Sequence, residues 1–316
     1  MDWNEFTIKE VKEHISKMNL HEISDTLINE LRSDSRSGVQ KLADRCQRLL
    51  DDEEARKKRW EKMSRRTEKL HQEGYQLVAG IDEAGRGPLA GPVVAAAVIL
   101  NSKEPIYGLD DSKKLTEKKR EQLYEIIMGN AVSVGIGIID NKTIDKINIL
   151  QATFQGMKQA ISDLHKTPDY ILVDGNMKIP GLNFKQDCIV DGDSFVNSIA
   201  AASIIAKVTR DRIIEDYHRD YPYYGFDRNK GYGTSEHIQG LKENGPTPIH
   251  RFSFSIVNKY HFKHFKDNIQ QARTEEELKE IGKMIAEKGL FSEDNLNKLR
   301  KMYQDKLYSI VNSFGF

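Results

Sequence analysis

The sequence predicts an α/β fold: a mixed five-stranded sheet flanked by helices, with a helical extension at each end of the chain. Five short apolar runs lie between Gln76 and Asp193, and glycine, proline or aspartate bounds each of them, as in buried strands. Helical patterns separate the later runs, which favours strand–helix units within one sheet. Before residue 73 and after about residue 257, apolar residues recur only at helical spacing.

On this pattern the chain divides into three segments: a helical N-terminal module (1–72), a sheet domain (73–257) and a C-terminal helical hairpin extension (258–316). In the first segment, Thr7 and Glu10 have the spacing of a capping box, which predicts a helix start. The charged stretch at 51–70 continues a long polar helix. In the last segment, a helix is expected to start after Thr274 and to end at Gly289.

Strands and helices of the sheet domain follow from the same patterns. The apolar runs predict strands at 77–83, 93–100, 131–140, 169–175 and 187–193. Helical periodicity predicts helices at 117–128, 143–165 and 194–220. Because three strands come first and strand–helix units follow, we expect one mixed sheet with helices on its faces.

Composition sets limits on the class of protein. The 316 residues carry 48 basic and 48 acidic side chains, so any surface that attracts nucleic acid must be local. The two cysteines, Cys46 and Cys188, indicate neither a disulfide framework nor a zinc site. No signal peptide and no apolar run of about 18 residues is found. We therefore expect a cytoplasmic protein without membrane contact, and a monomer.

Acidic residues occur where the predicted strands end. Asp82 and Glu83 end the first strand, Asp174 ends the fourth, and Asp193 follows the fifth. Residues at strand ends form the floor of a crevice in an open sheet, and carboxylates gathered there would repel one another unless cations neutralise them. Mg²⁺ suits such ligands, and two ions about 4 Å apart can flank an in-line attack at phosphorus. Taken singly, each acid also fits a turn or a helix cap.

Asp82 and Glu83 are neighbours on one strand, and this raises a stereochemical problem. Successive side chains of a strand point to opposite faces of the sheet. We therefore expect the strand to break there, with a turn at Ala84 and Gly85 that lets Glu83 face the crevice.

The loop Gly85-Arg86-Gly87 follows these acids. Its backbone N–H groups have no side chains in the way, so the loop can approach a sugar or a phosphate closely. Arg86 is a candidate for pairing with phosphate. A hairpin loop with a solvated arginine is the alternative. The motif lacks the GK[ST] ending of a phosphate-binding Walker loop.

Basic and hydroxyl side chains supply further candidate substrate contacts. They are Lys113 before a predicted helix, Ser203, Lys207 and Arg210 on one side of another, and Lys230 and Tyr232 in a glycine-punctuated loop. Charged helix faces are also commonly just solvated. Tyr232 lies between two glycines with little to pack against locally, so its ring is a candidate for stacking on a sugar or a base.

These motifs together resemble bacterial ribonuclease HII. The matching segments occur in the family's order over about residues 76–255: GIDEAGRGPLAGPVVAAAVIL, LDDSKKLTEKKRE, INILQATFQGM, ILVDGN, GDSFVNSIAAASIIAKVTRDR and YPYYGFDRNKGYGTSEH. The resemblance implies an RNase H-like fold and cleavage of the RNA strand of RNA–DNA hybrids. It also implies nicking on the 5′ side of single ribonucleotides in duplex DNA, leaving 3′-hydroxyl and 5′-phosphate ends. The implied cofactors are Mg²⁺ or Mn²⁺, expected as two ions.

The same resemblance assigns roles to individual residues. Asp82, Glu83 and Asp174 would be the principal metal ligands and Asp193 a more peripheral one. The loop at 85–87 matches the family's GRG loop, which reads the ribose 2′-hydroxyl and the adjoining phosphate. Tyr232 matches the tyrosine that packs on the sugar at the junction. The sister family, ribonuclease HIII, carries GKG in that loop.

The two extensions are less constrained by the resemblance. The N-terminal segment is similar to extensions on ribonuclease HII of low-GC Gram-positive bacteria. The C-terminal hairpin departs from the family's short C-terminus, and it could cover the duplex, dock a protein partner or pack on the core. Within it, HFKHFK (261–266) fits either a phosphate contact or packing. A non-catalytic nucleic-acid-binding protein and another metal-dependent nuclease, such as a resolvase-like one, are the competing hypotheses.

Overall fold

The computed structural model describes residues 3–288 and 291–313, and the helix end predicted at Gly289 lies outside them. The strands are β1 (Val78–Ala84), β2 (Val93–Ile99), β3 (Ser133–Ile139), β4 (Tyr170–Asp174) and β5 (Lys185–Ile189). The helices of the first half are α1 (Ile8–Lys17), α2 (Asp25–Ser33), α3 (Ser37–Gln72), α4 (Glu117–Asn130), α5 (Asn141–Ile147) and α6 (Ile149–Asp163). Those of the second half are α7 (Asn197–Asp220), α8 (Phe226–Asn229), α9 (Ser235–Asn244), α10 (Ser255–Gln271), α11 (Glu275–Lys288) and α12 (Glu293–Ser313).

The five strands form one mixed sheet in the order β3-β2-β1-β4-β5, which confirms the predicted fold class. β2 is antiparallel to both β1 and β3, whereas β1, β4 and β5 are parallel. Ile81 of β1 pairs with Val173 of β4. Asp82 and Asp174 each come one residue later, so the register brings these two acids to the same edge of the sheet.

Helices cover both faces of the sheet, as the apolar run of β2 predicts. On one face, small residues of α7 pack against alternate residues of β2, such as Val94 and Val98. On the other face, Phe154 and Met157 of α6 pack against Ile81 of β1 and the intervening residues of β2. Because β2 is buried on both sides, its sequence shows no polar alternation.

The N-terminal module has a core of its own, formed by α1, α2 and the first part of α3. α3, which is one helix of 36 residues, then continues to the sheet domain. There Met63 is buried in the core that lies between α7 and the sheet. Asn197 of α7 donates hydrogen bonds to the Ser64 hydroxyl at 2.7 Å and to the Trp60 carbonyl at 3.2 Å. The end of α3 is thus fastened to the sheet domain.

The C-terminal helices α10, α11 and α12 enclose a separate apolar cluster. The boundary predicted at 257/258 falls within α10. Val257 packs with the sheet domain, whereas Phe265, further along the same helix, packs with the hairpin. His261 and Phe265 are both buried, so these members of HFKHFK pack inward.

Other elements differ from the sequence prediction in detail. The helix predicted at 143–165 is divided into α5 and α6 at Asn148, which has a φ of 68° and caps α6 by accepting from the Gln151 N–H at 3.1 Å. β5 lies earlier than predicted, so Asp193 lies in a 3-10 turn beyond its end. α8 and α9 were not predicted. Over the residues described, no helix is both long and apolar enough to cross a membrane.

Candidate active site

Asp82 is the most deeply placed acid at the edge where β1 and β4 end, and it is 5% exposed. Its carboxyl hydrogen-bonds with the Ser203 side chain, and Oδ1 accepts from the Glu83 N–H at 2.7 Å. Burial raises the pKa of Asp82 well above its usual value, and the nearby carboxylates of Glu83 and Asp174 raise that pKa further.

Glu83 lies in an unbroken part of β1. It pairs with Ala95 of β2, and Ala84 pairs with Val94, so the break expected at Asp82 and Glu83 is wrong. The antiparallel partner holds the strand straight to Ala84, and the turn follows at Gly85, whose φ is 95°.

The Glu83 carboxylate faces Arg86, whose Nη1 donates to Oε1 at 3.2 Å. Burial raises the pKa of Glu83, the Arg86 guanidinium opposes this rise, and the Asp174 carboxylate adds to it. Glu83 is therefore electrostatically part of the acidic cluster, although its position on the strand alternates with that of Asp82.

Asp174 and Asp193 complete the acidic group. Asp174 ends β4, and its Oδ1 accepts from the Gly192 N–H at 2.7 Å, which ties it to the 3-10 turn that carries Asp193. Burial raises the pKa of Asp174. Burial, with the carboxylates of Asp111 and Asp174, raises the pKa of Asp193 to about 6.

Lys113 is a second cation, besides Arg86, that the structure brings to these acids. Burial alone would lower the pKa of Lys113, but the surrounding carboxylates raise it. The acids that do so are Asp111, Asp193, Asp82 and Asp174. Lys113 therefore stays protonated beside the cluster and offers a positive group to an anion that enters it.

The donor chemistry of the four acids fits a divalent cation. Burial and neighbouring carboxylates raise the pKa of each of the four acids, because negative charge is gathered in a partly buried site, and a bound cation relieves that repulsion. Oxygen donors of this kind suit Mg²⁺ and Mn²⁺. Over the described ranges, no three His, Cys, Asp or Glu side chains already stand in the arrangement of a metal site.

A cavity of about 500 Å³ opens beside Asp174 and Asp193, two of the four acids. Asp174 and Asp193 lie on one part of its lining, Lys113 lies on another, and α3 contributes Arg59 and Lys62. Two members of the acidic group therefore face a cleft with basic side chains on its walls.

The loop at 85–87 is held from behind by a buried arginine that sequence reasoning missed. Arg251 is 0% exposed, and it donates to the carbonyl oxygens of Gly85 at 2.6 Å and of Arg86 at 2.9 Å. Arg251 lies in a short irregular segment between α9 and α10, and no periodicity or motif in the sequence marks it.

Arg210 also supports this region, which corrects the prediction that it binds substrate. It is 1% exposed and donates to the backbone carbonyls of Pro92, Lys230 and Ala90. A Cβ at Gly85 would lie 2.1 Å from its Nε, so the glycine is required by this close contact as well as by its φ. With its donors committed to carbonyls, Arg210 is a structural cation.

Three other predicted substrate contacts already have protein partners in the structure. Ser203 is 4% exposed, and it hydrogen-bonds Ser112 at 2.9 Å as well as Asp82, so it positions that acid. The Lys207 ammonium is paired with both carboxylate oxygens of Asp211 at 2.6 Å. Lys230 is paired with Glu215, and its side chain is 13% exposed. Both lysines therefore have an acidic partner in the free protein.

Tyr232 stands next to the loop at 85–87, with its ring partly exposed. A Cβ at Gly87 would lie 3.6 Å from its ring, at ordinary contact distance. The carbonyl of Tyr232 accepts from Nδ1 of His237 at 3.0 Å. The structure therefore brings together the glycine loop and the tyrosine, which are far apart in sequence.

A buried histidine pair holds this tyrosine segment. Nε2 of His237 lies 2.9 Å from Nε2 of His250, and the Thr247 N–H donates to Nδ1 of His250 at 2.9 Å. Since the Tyr232 carbonyl can only accept, His237 carries its proton on Nδ1. Since Nδ1 of His250 accepts from the Thr247 N–H, His250 carries its proton on Nε2 and donates it to His237. Burial lowers the pKa of both rings, that of His250 to about 3, so both are neutral at pH 7.

Sequence comparison finds two matching family models. The one described as Ribonuclease HII matches residues 79–259, and the one described as Ribonuclease HII N-terminal domain matches residues 7–71. The chain is 46% identical over 257 residues to the ribonuclease HII of Bacillus subtilis (strain 168). This alignment covers 81% of this chain and 99% of that protein. It is 52% identical to that of Acetivibrio thermocellus, over 68% of this chain and 86% of that protein.

Comparison with solved structures finds the same fold. The crystal structure of the ribonuclease H2 from Pyrococcus horikoshii OT3 superposes with a TM-score of 0.51 at 27% identity. The match covers 60% of this chain and 98% of the other. The region outside the match corresponds in length to the two helical extensions.

Proposed function

Because this chain belongs to the ribonuclease HII family, we propose that it is a metal-dependent endonuclease acting on ribonucleotides within nucleic-acid duplexes. It cleaves the RNA strand of RNA–DNA hybrids, and it nicks duplex DNA on the 5′ side of a single embedded ribonucleotide. The products carry 3′-hydroxyl and 5′-phosphate ends. The observation that carries the proposal is the gathering of Asp82, Glu83, Asp174 and Asp193 at one sheet edge beside the glycine loop.

The four acids would hold Mg²⁺ or Mn²⁺, as two ions. When bound at this edge, a divalent ion would supply Lewis-acid stabilisation of the phosphate oxygens and would lower the pKa of a bound water. The chain's own contribution is to fix the carboxylates. Ser203 and the Glu83 N–H orient the Asp82 carboxyl, and the Gly192 N–H orients that of Asp174.

Discrimination between RNA and DNA requires a contact that senses the 2′-hydroxyl. The backbone of Gly85, Arg86 and Gly87 meets this need, because Arg251 fixes the loop and its first and last residues carry no side chain. Tyr232 stands beside Gly87, where its ring can pack on the sugar at the junction. Backbone and sugar contacts carry no base information, so cleavage is independent of sequence.

Positive groups near the acids orient the phosphate backbone. Lys113 is protonated and lines the same cleft as Asp174 and Asp193. Arg86 is paired with Glu83 in the free protein, and a phosphate next to the loop offers it an alternative partner. We propose that the enzyme acts as a monomer in the cytoplasm, where its two free cysteines, Cys46 and Cys188, stay reduced.

A panel of labelled substrates tests this proposal. It contains a uniform RNA–DNA hybrid, a DNA duplex with one ribonucleotide, an all-DNA duplex, a four-way junction and single strands. We expect cleavage of the first two only, in Mg²⁺ or Mn²⁺, with the nick mapped to the 5′ side of the ribonucleotide. Full activity in EDTA would exclude the metal mechanism, and cleavage of the junction alone would indicate a resolvase-like nuclease. Binding of the ribonucleotide duplex without turnover would indicate a binding protein.

A further inference from the structure

The N-terminal module forms part of the catalytic cleft. The 500 Å³ cavity that Asp174 and Asp193 line is also lined by Arg59, Lys62 and Met63, all from α3. These residues come from outside the region that the Ribonuclease HII family model matches, which begins at residue 79. The cleft is therefore built jointly by the sheet domain and by the long helix that precedes it.

α3 is held firmly where it reaches the cleft. Met63 is 2% exposed and packs in the core of the sheet domain. One residue further, Ser64 accepts a hydrogen bond from Asn197 at 2.7 Å. Arg66, two residues beyond Ser64, is ion-paired with Asp187 of β5. Because α3 is anchored directly after Lys62, the backbone of Lys62 is fixed at the cleft.

Among the basic side chains of the described cleft wall, two form no side-chain hydrogen bond or ion pair: Lys113, which the acids surround, and Lys62 on α3. Arg59 is ion-paired with Asp110 and donates to the Leu109 carbonyl. Lys114 donates to the Ser194 hydroxyl at 2.9 Å. Over residues 3–288 and 291–313, Lys62 forms no hydrogen bond or ion pair, and it is exposed. An exposed, unpaired ammonium in a cleft beside acids is well placed for a substrate phosphate.

Phe195 adds a second, independent feature to the same cleft. It lines the cavity with Lys62, and 55% of its surface is exposed. It directly follows the 3-10 turn of Asp193, so its backbone is fixed next to the acidic group. An exposed aromatic ring in a polar cleft is the usual platform on which nucleic-acid-binding proteins stack sugars and bases.

We propose that Lys62 and Phe195 form a nucleotide subsite beside the acidic cluster, which rests on the function proposed above. Lys62 binds a phosphate of the nucleic-acid backbone, and Phe195 packs against the adjoining sugar or base. The N-terminal module is thereby a substrate-binding part of the enzyme. Because the ammonium and the ring recognise backbone phosphate and a π-face, the subsite adds affinity without adding base specificity.

Two substitutions and one matched control separate these contributions. Binding of a fluorescein-labelled DNA duplex with one ribonucleotide is measured by anisotropy in EDTA, from 50 to 200 mM KCl, with the full chain. Lys62→Gln should make the slope of log K against log[salt] less negative by about 0.9, so the wild type loses about 3.5-fold more affinity over this range than the variant does. Phe195→Leu should weaken binding by about fivefold or more and leave the slope unchanged.

Lys57→Gln is the control, because Lys57 lies on the same helix, is paired with Glu53 and does not line the cavity. It should match the wild type in both affinity and slope. A wild-type slope for Lys62→Gln, or an equal change in Lys57→Gln, would overturn the assignment of Lys62, and wild-type affinity for Phe195→Leu would overturn that of Phe195. Cleavage in Mg²⁺ is assayed in parallel. A wild type that binds with these dependences but cleaves nothing would contradict the proposed activity and leave the subsite standing.

Discussion

Arg210 and Arg251 donate to one and the same carbonyl oxygen: that of Pro92 lies 3.0 Å from Nε of Arg210 and 3.0 Å from Nη2 of Arg251. Two buried guanidinium groups therefore meet beneath the loop that connects β1 to β2. Their other donors go to the carbonyls of Gly85, Arg86, Ala90, Gly91 and Lys230. Burial lowers the pKa of Arg210 to about 10 and that of Arg251 to about 9, so both remain charged at pH 7.

This arrangement predicts that Arg251→Met destabilises the protein and loosens the glycine loop. Four carbonyl contacts to a charged donor are lost and their oxygens stay buried, which should cost about 3 kcal/mol or more of unfolding free energy. Urea unfolding followed by circular dichroism measures this. Arg219→Met is the control, because Arg219 is exposed and paired only with Asp216; it should change the stability by less than about 0.5 kcal/mol. Equal effects in the two variants would contradict a supporting role for Arg251.

The two glycines of the loop should respond differently to alanine. Gly85 has a φ of 95°, and a Cβ there would meet Arg210 at 2.1 Å. Gly85→Ala should therefore lower the unfolding free energy by about 1 to 3 kcal/mol. At Gly87 the nearest atom to a Cβ is in the Tyr232 ring at 3.6 Å, so Gly87→Ala should fold normally. If substrate approaches this backbone closely, Gly87→Ala raises KM for the ribonucleotide duplex. Melting temperature and steady-state kinetics separate the two effects, and an unchanged KM would place the substrate elsewhere.

Replacing the acids by amides tests the metal site. Asp82→Asn should lower the cleavage rate by more than the roughly 10- to 100-fold that is expected when a residue that only orients a metal ligand is removed. It should also raise thermal stability in EDTA, because a buried carboxylate under repulsion from Glu83 and Asp174 becomes neutral. The measurements are cleavage rate in Mn²⁺ and melting temperature in EDTA. Asp163→Asn is the comparison, since Asp163 lies at the far end of α6 and accepts from the Ile136 N–H. Wild-type activity in Asp82→Asn would remove this acid from the site.

Ser203 should act through Asp82 and not through the substrate. Its hydroxyl is buried between Ser112 and the Asp82 carboxyl, so Ser203→Ala should lower activity by about 10- to 100-fold. The loss should appear as a higher Mn²⁺ concentration for half-maximal rate, with KM for the duplex unchanged. A rise in KM with unchanged metal dependence would restore the contact with substrate that the sequence suggested.

The sequence predicted those parts of the site that depend on local pattern. Asp82, Asp174 and Asp193 could be placed because each follows an apolar run, and parallel strands bring their ends to one edge. The straight course of β1 through Glu83 could not be predicted, because it depends on pairing with β2. Arg210 looked like a surface cation because a helix position does not reveal which loop covers it. Arg251 and Lys62 were missed because their roles arise only where distant segments meet.

The raised pKa values predict that the metal-free protein becomes less stable as the pH rises. Asp193 has a folded-state pKa of about 6, above its usual 3.8, so between these values the folded state holds the proton more tightly. Its contribution to stability is therefore complete below about pH 4 and is lost by about pH 6, at no more than about 1.4 kcal/mol per pH unit. Melting temperatures in EDTA from pH 4 to pH 7 measure the effect.

Asp193→Asn should flatten this pH dependence, and the difference from the wild type should grow towards pH 7. Mn²⁺ should stabilise the wild type more at pH 7 than at pH 5, because the carboxylates must lose their protons to bind it. Glu293→Gln, a change at the exposed start of α12, should leave the pH profile as it is. If the melting temperatures of wild type and Asp193→Asn differed by the same amount at every pH, titration of Asp193 would not be the cause of the lost stability.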